Sequence, residues 1–319
     1  MKEYVSLLRQ GSKSAALAAV VNLVIALVKG GAFLLTGNVA MFAETMHSFG
    51  DAANQLFVYV GSALSKKAPT ERFPGGFGRA VNLVLLGAVL IVGILAYETI
   101  REGITHLAHP SESEGLWISI SVLALGCILE GFVLLKAMRE IAHESESGAK
   151  GLAVIPMSFV HVKRAKPATK LVFMEDLVAT SGGLVAIIAI LIAAYTPFYQ
   201  AEGIASIIIG AMMFLVVGRV FLDNAAGVIG EADEEMADKI GDILFADKDV
   251  RDVQEMTVVK EGESFHVEAK LEIDPTITVA AADDIKDRLE AQIMEHRGVT
   301  DVIIEFDEDD KNQAWKSKE

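Results

Sequence analysis

Six long apolar stretches constrain this chain more than any other feature. They are Ser12–Leu35, Val39–Leu64, Arg79–Thr105, Gly115–Ile141, Lys170–Ala194 and Gly203–Leu222. A hydrocarbon core about 30 Å thick takes about 20 helical residues, so each stretch is long enough to cross a bilayer. In hydrocarbon each backbone N–H and C=O must be paired within the protein, and continuous apolar stretches of this length do so as helices, which gives a six-helix, all-α membrane bundle. At 52 % hydrophobic residues the chain is too apolar for one ordinary soluble domain. Thr36-Gly37-Asn38 reads as a tight turn, and Ser65–Gly78, SKKAPTERFPGGFG, as a polar loop broken by Pro and Gly. His106–Glu114, Ala142–Thr169 and Tyr195–Glu202 are the other loops, and Gly30, Gly31, Gly182, Gly183 and Gly210 would let helices approach closely.

Lys and Arg set the expected orientation. They cluster before the first stretch (Lys2, Arg9, Lys13), between the second and third (Lys66, Lys67, Arg72, Arg79) and between the fourth and fifth, and the other three loops have none. Both termini are therefore expected on the cytoplasmic side. No signal-peptide or organelle-targeting pattern is read at Met1–Lys13, so the expected location is a prokaryotic inner membrane.

From Glu231 the texture becomes that of a soluble α+β domain. An amphipathic acidic helix (Glu231–Phe245), a hairpin (Val253–Val259 and Ser264–Ile273, turning at 260–263), a helix (Val279–His296, with Gly298 at its C-cap) and a strand (Thr300–Phe306) give the order αββαβ, a ferredoxin-like layer. The expected division is a transport domain over 1–230, a cytoplasmic ferredoxin-like domain over 231–307, and a charged, disordered tail over 308–319. The acidity belongs to the second part: 27 acids against 11 bases from Glu231 on, and 16 against 17 before it. A phosphate backbone needs a basic surface, so nucleic acid is excluded as a partner. Cys127 is the only cysteine, which excludes internal disulfides and thiolate clusters.

Inside the second stretch lies Ala43–Gln55, AETMHSFGDAANQ. His47 and Asp51, four residues apart, share a helix face about 6 Å apart. Ionisable groups in hydrocarbon are costly and mark ion or proton paths; the bland alternative is a polar pair that glues helices together. His with carboxylates suits Zn²⁺ or a neighbouring first-row metal. A second helix must add ligands, and Asp176, with Glu175 beside it, is the natural donor; the alternative for both is a charge at a helix start near the interface. Glu44 is an entry-side carboxylate or a boundary charge, Asn54 and Gln55 interhelical hydrogen-bonding groups, and Asn22 a packing amide. Glu130 is a neighbour of the site, a proton carrier or a structural pair. Lys29 snorkels to an interface, while His106, His109, His143 and His161 are solvated loop residues. His266 has Glu268 on its strand face, too little for a metal site.

Three stretches, AETMHSFGDAANQ at 43–55, PGGFGR at 74–79 and KPATKLVFMEDLVATSGGLVA at 166–186, resemble the cation diffusion facilitator family, in particular its branch around zinc transporter nine. The resemblance covers nearly the whole chain. It implies six spans, a cytoplasmic ferredoxin-like domain, a homodimer, and export of Zn²⁺ or a related divalent metal in exchange for protons, with no enzymatic chemistry. It implies His47, Asp51 and Asp176 as ligands, with water, Glu175 or another group completing the shell, because Val172 stands where most zinc members carry a further His. With more oxygen and less nitrogen, Mn²⁺, Fe²⁺ or Co²⁺ is an alternative cargo. Of the residues at the family's regulatory positions in the soluble domain, Lys270, Glu305 and Asp307, only Asp307 is a fitting ligand. A reading of another class is a membrane metal sensor or scaffold that transports nothing.

Overall fold

The computed structural model describes residues 6–145, 149, 151–162, 167–261, 264–296, 298–309 and 311–316. Six long helices are present among them: α1 (Lys13–Thr36), α2 (Val39–Leu64), α3 (Ala80–Ala108), α4 (Leu116–Glu144), α6 (Pro167–Tyr195) and α7 (Gln200–Ile229), with a short α5 (Val154–His161) between α4 and α6. All but α2 are long and apolar enough to cross a membrane. Helix α2 matches them in length, and its polar residues alone set it apart. Local signals place the ends. Ser12 caps α1 by accepting from the Ala15 N–H, and Gly37 (φ 66°) closes it in the left-handed conformation. Asn38 then starts α2 by accepting from the Met41 N–H at 2.9 Å.

Two compact units form. The larger comprises residues 12–59 and 85–222, and its core is built from small residues, among them Ala40, Ala43, Ala96 and Ala186. Lipid removes most hydrophobic drive between helices, so they associate through close backbone approach. Helices α3 and α7 approach closely: a Cβ on Gly103 would lie 2.7 Å from the Gly203 carbonyl oxygen, and one on Gly210 2.6 Å from Ile100. Gly31 meets nothing within 4 Å, so it makes none of the close approach expected of it. Large side chains such as Leu34, Leu90, Phe132 and Leu215 point outward, as a lipid-facing surface requires.

The 142–169 loop is not wholly irregular. A 3₁₀ turn (Gly151–Ala153) leads into α5, which buries Val154 among Met138, Ile141 and Phe173 of α4 and α6; residues 163–166 lie outside the described residues. Nor does α3 stop at Thr105. It runs on to Ala108, and His106 is buried with its ring nitrogen 3.1 Å from the Tyr199 carbonyl, not solvated. Close by, Glu202 is buried and accepts from Asn38 Nδ2 and Ser113 Oγ, each at 2.7 Å, fastening this end of the bundle.

The second unit comprises residues 1–11, 60–84 and 223–319. It holds α8 (Glu234–Phe245), β1 (Val250–Glu261), β2 (Ser264–Ile273), α9 (Val279–Met294) and β3 (Val299–Glu308). The sheet order is β1-β2-β3, with β1 antiparallel and β3 parallel to β2. Val267, Ala269, Leu271 and Ile273 turn one face of β2 into a core with Ile240, Leu244, Leu289 and Ile293 of the helices. Helix α8 starts later than Glu231 because Asp233 caps it, accepting from Met236 N–H, while its own N–H goes to Val258 O on β1. Of the expected 260–263 turn, 262–263 lie outside the described residues. Gly298 adopts φ 95°. The tail is not wholly loose. Trp315 packs on the core, its indole N–H donates to Asp242 Oδ1 at 2.9 Å, and the backbone N–H groups of Ala314 and Trp315 donate to Asp252. One aromatic among charges was enough to dock it. In the same unit Arg79, which ends PGGFGR, pairs with Glu261 at 3.0 Å.

Candidate metal site

Helix α2 places His47, Gly50, Asp51 and Asn54 along one face, and this face lines a pocket. The other walls are Val89 and Val92 of α3, Glu175 of α6, and Val216, Val217 and Val220 of α7. Three potential ligands and an amide thus look into a cavity whose remaining walls are mostly valine. His47 is 7 % exposed, its Nε2 is 3.5 Å from Asp51 Oδ2, and that nitrogen has no hydrogen-bond partner among the described residues. Asn54 Nδ2 donates to Glu175 Oε1 at 3.4 Å, tying α2 to α6 across the pocket. Asp176 does not line the cavity. Successive helix positions point about 100° apart, so Glu175 and Asp176 cannot both face it squarely. Asp176 Oδ2 is nonetheless buried without a partner, and Asp51 is near enough for its charge to act on both Glu175 and Asp176. Among the described residues no three His, Cys, Asp or Glu side chains are drawn together as a ready-made metal cluster. The pocket brings His47, Asp51 and Glu175 to one cavity and leaves Asp176 beside it. Val172 is 45 % exposed.

Neighbouring ionisable residues fall differently from expectation. Lys29 does not snorkel; it is 1 % exposed, and its ammonium lies 2.9 Å from Glu44 Oε2 and 3.1 Å from Glu130 Oε1. Glu44 is likewise 1 % exposed, a buried partner rather than a boundary charge. Lys29 counts as a lone basic residue in the sequence, and nothing in its neighbours along the chain marks the pairing.

In the soluble domain Lys270 pairs with Asp307 at 2.8 Å. The hydrogen bond from Lys270 holds the Asp307 carboxyl below the usual carboxylate range, so the one fitting regulatory ligand is already engaged. His266 is bonded on both sides, Nδ1 to Asp301 Oδ2 at 2.8 Å and Nε2 to Glu268 Oε1 at 2.9 Å. Partial burial alone would lower its pKa, but the hydrogen bonds and charges of Glu268 and Asp301 outweigh it and raise it.

Bundle and pocket together define a multi-pass helical membrane protein with an imidazole- and carboxylate-lined cavity among its helices. Residues 15–227 match the cation efflux transmembrane domain and residues 232–309 the cytoplasmic domain of cation efflux proteins. The chain therefore belongs to the cation efflux, or cation diffusion facilitator, family, a family of transporters rather than enzymes. Among its relatives is the "Proton-coupled zinc antiporter SLC30A9, mitochondrial" of Xenopus laevis, 29 % identical over 76 % of this chain and 43 % of the relative. The human protein of that name is 26 % identical over 76 % of this chain and 42 % of its own length. A "Probable cation efflux system protein" of Mycobacterium tuberculosis is 26 % identical over 78 % of this chain and 69 % of the relative. The chain spans less than half the length of these two antiporters.

Proposed function

We propose that this protein moves a divalent cation, Zn²⁺, out of the cytoplasm in exchange for protons, as a homodimer with both termini cytoplasmic. The observation that carries the reading is the convergence of His47, Asp51 and Glu175 on one otherwise valine-walled cavity in the helical unit. The relatives named as proton-coupled zinc antiporters support cargo and coupling alike, and the match to the cation efflux cytoplasmic domain supports assembly through the C-terminal sheet. His47 and Asp51 hold the cation first, from one helix. Glu175 closes the shell from α6, and Asp176, one position on, is the reserve carboxylate that a modest rotation of α6 would bring in. A ligating imidazole must be deprotonated, so a cation that arrives at a protonated site expels a proton. The valine walls keep water from competing for the ion, and shifts of the helices about the site would open it to each side in turn.

The test is uptake of Zn²⁺ by proteoliposomes under an imposed pH gradient. Asp51→Ala should abolish flux while the protein still folds, and unchanged flux would remove the site. A second cargo, Mn²⁺, Fe²⁺ or Co²⁺, is favoured by one observation: carboxylates outnumber imidazoles in the pocket, and Val172 supplies no further nitrogen. Competition between these metals in the same vesicles separates the two. A sensor or scaffold would show no flux from wild-type protein.

A further inference from the structure

The Lys29–Glu44–Glu130 group takes no part in the pocket. It joins three helices: the ammonium on α1 bridges Glu44 on α2 and Glu130 on α4. Each carboxylate uses one oxygen on Lys29. The other oxygens, Glu44 Oε1 and Glu130 Oε2, are buried and have no hydrogen-bond partner among the described residues. Helix α6 makes room for the Glu44 carboxylate and for Cys127 with glycine. A Cβ on Gly182 would sit 2.8 Å from Glu44 Oε1, and one on Gly183 would strike Cys127 Sγ at 2.5 Å. The titratable groups reaching the triad are thus Lys29 from α1, Glu44 and Asp51 from α2, Glu130 and Cys127 from α4, and Asp176 from α6. All but Lys29 are acids.

One cation against two carboxylates leaves an uncompensated negative charge where charge is costly. A proton on either carboxyl makes the group neutral, and the two partnerless oxygens are where its O–H would stand. We propose that the triad is a second, intramembrane ion site, which binds one exchangeable proton separately from the metal pocket. Lys29 stays paired with whichever carboxylate is ionised, so the proton can rest on Glu44 or Glu130. Only an O–H bond breaks on release, and the proton passes to water on the side then open. Glu44 lies one helical turn from His47 on α2, so a shift of α2 when a cation enters also moves the triad. This coupling, though not the proton site itself, rests on the antiport reading.

The experiment uses the full chain in proteoliposomes, counting protons moved per Zn²⁺ with an internal pH dye, and in parallel the infrared band of protonated carboxyls as pH is raised. Glu44→Gln and Glu130→Gln each leave a neutral Lys–carboxylate pair that needs no proton. Both should move one proton fewer per Zn²⁺ than wild type, and both should lose part of the carboxyl band. An unchanged proton count and band in either variant that folds overturns the proposal. So does a wild-type protein with no protonated carboxyl at neutral pH, whatever the variants do. If wild type moves Zn²⁺ without protons, the antiport reading fails, and the band change in the Gln variants decides the proton site by itself.

Discussion

Lys29→Met removes the only cation from a group of three, two of them buried and Glu130 half-buried, and keeps most of the apolar stem. Glu44 and Glu130 then face each other with no ammonium between them. Removing one member of a buried ion pair costs about 3–5 kcal/mol. A second route gives a similar figure. The extra carboxylate can escape its charge by taking a proton. From an ordinary Glu value near 4.3 to pH 7, at about 1.4 kcal/mol per unit, that costs about 3.7 kcal/mol. Reversible unfolding in mixed micelles, followed by circular dichroism, should therefore show a loss of about 3–4 kcal/mol at pH 7. Because the escape is protonation, the loss should shrink by about 2 kcal/mol at pH 5.5. The triple variant Lys29→Met/Glu44→Gln/Glu130→Gln, which has no charge to strand, should recover most of the stability. A Lys29→Met protein within about 1 kcal/mol of wild type at pH 7, with no dependence on pH, would refute the assignment of a buried ionic group.

Two other outcomes can be checked in the full chain. Gly103→Val should cost about 1–3 kcal/mol or more, because its side chain meets the Gly203 carbonyl; Gly93→Ala, with nothing within 4 Å of the new Cβ, should be close to neutral, and equal effects would argue against the tight α3–α7 crossing. His266 has a folded-state pKa above its ordinary 6.5, so its bridge between β2 and β3 is fully present below about 6.5 and is lost as pH rises through the folded value. Hydrogen-exchange protection of the β2 and β3 amides, corrected for intrinsic rates, should therefore fall above that range, and His266→Gln should flatten the profile; an unaltered profile would show that the bridge carries no stability.

The order of elements was written in the chain because it depends on local periodicity and length. Apolar runs of bilayer length marked the long helices, Val39–Leu64 to the residue, and alternation in Ser264–Ile273 marked the central strand and its buried face. The candidate residues themselves, His47 and Asp51 on one turn and the Glu175-Asp176 pair on another helix, could be picked out for a related reason: hydrocarbon does not tolerate such groups without a purpose. Which of Glu175 and Asp176 faces the cavity could not be, because that depends on how α6 is rotated against its neighbours, and a helix with apolar residues all round has no stripe to set the rotation. Lys29 met Glu44 and Glu130 across 15 and 101 residues of sequence, and Trp315 found α8 and Asp252 from within a charged tail. A chain shows which groups need a partner, because solvation cost belongs to the residue; only packing in three dimensions decides which partner is in reach.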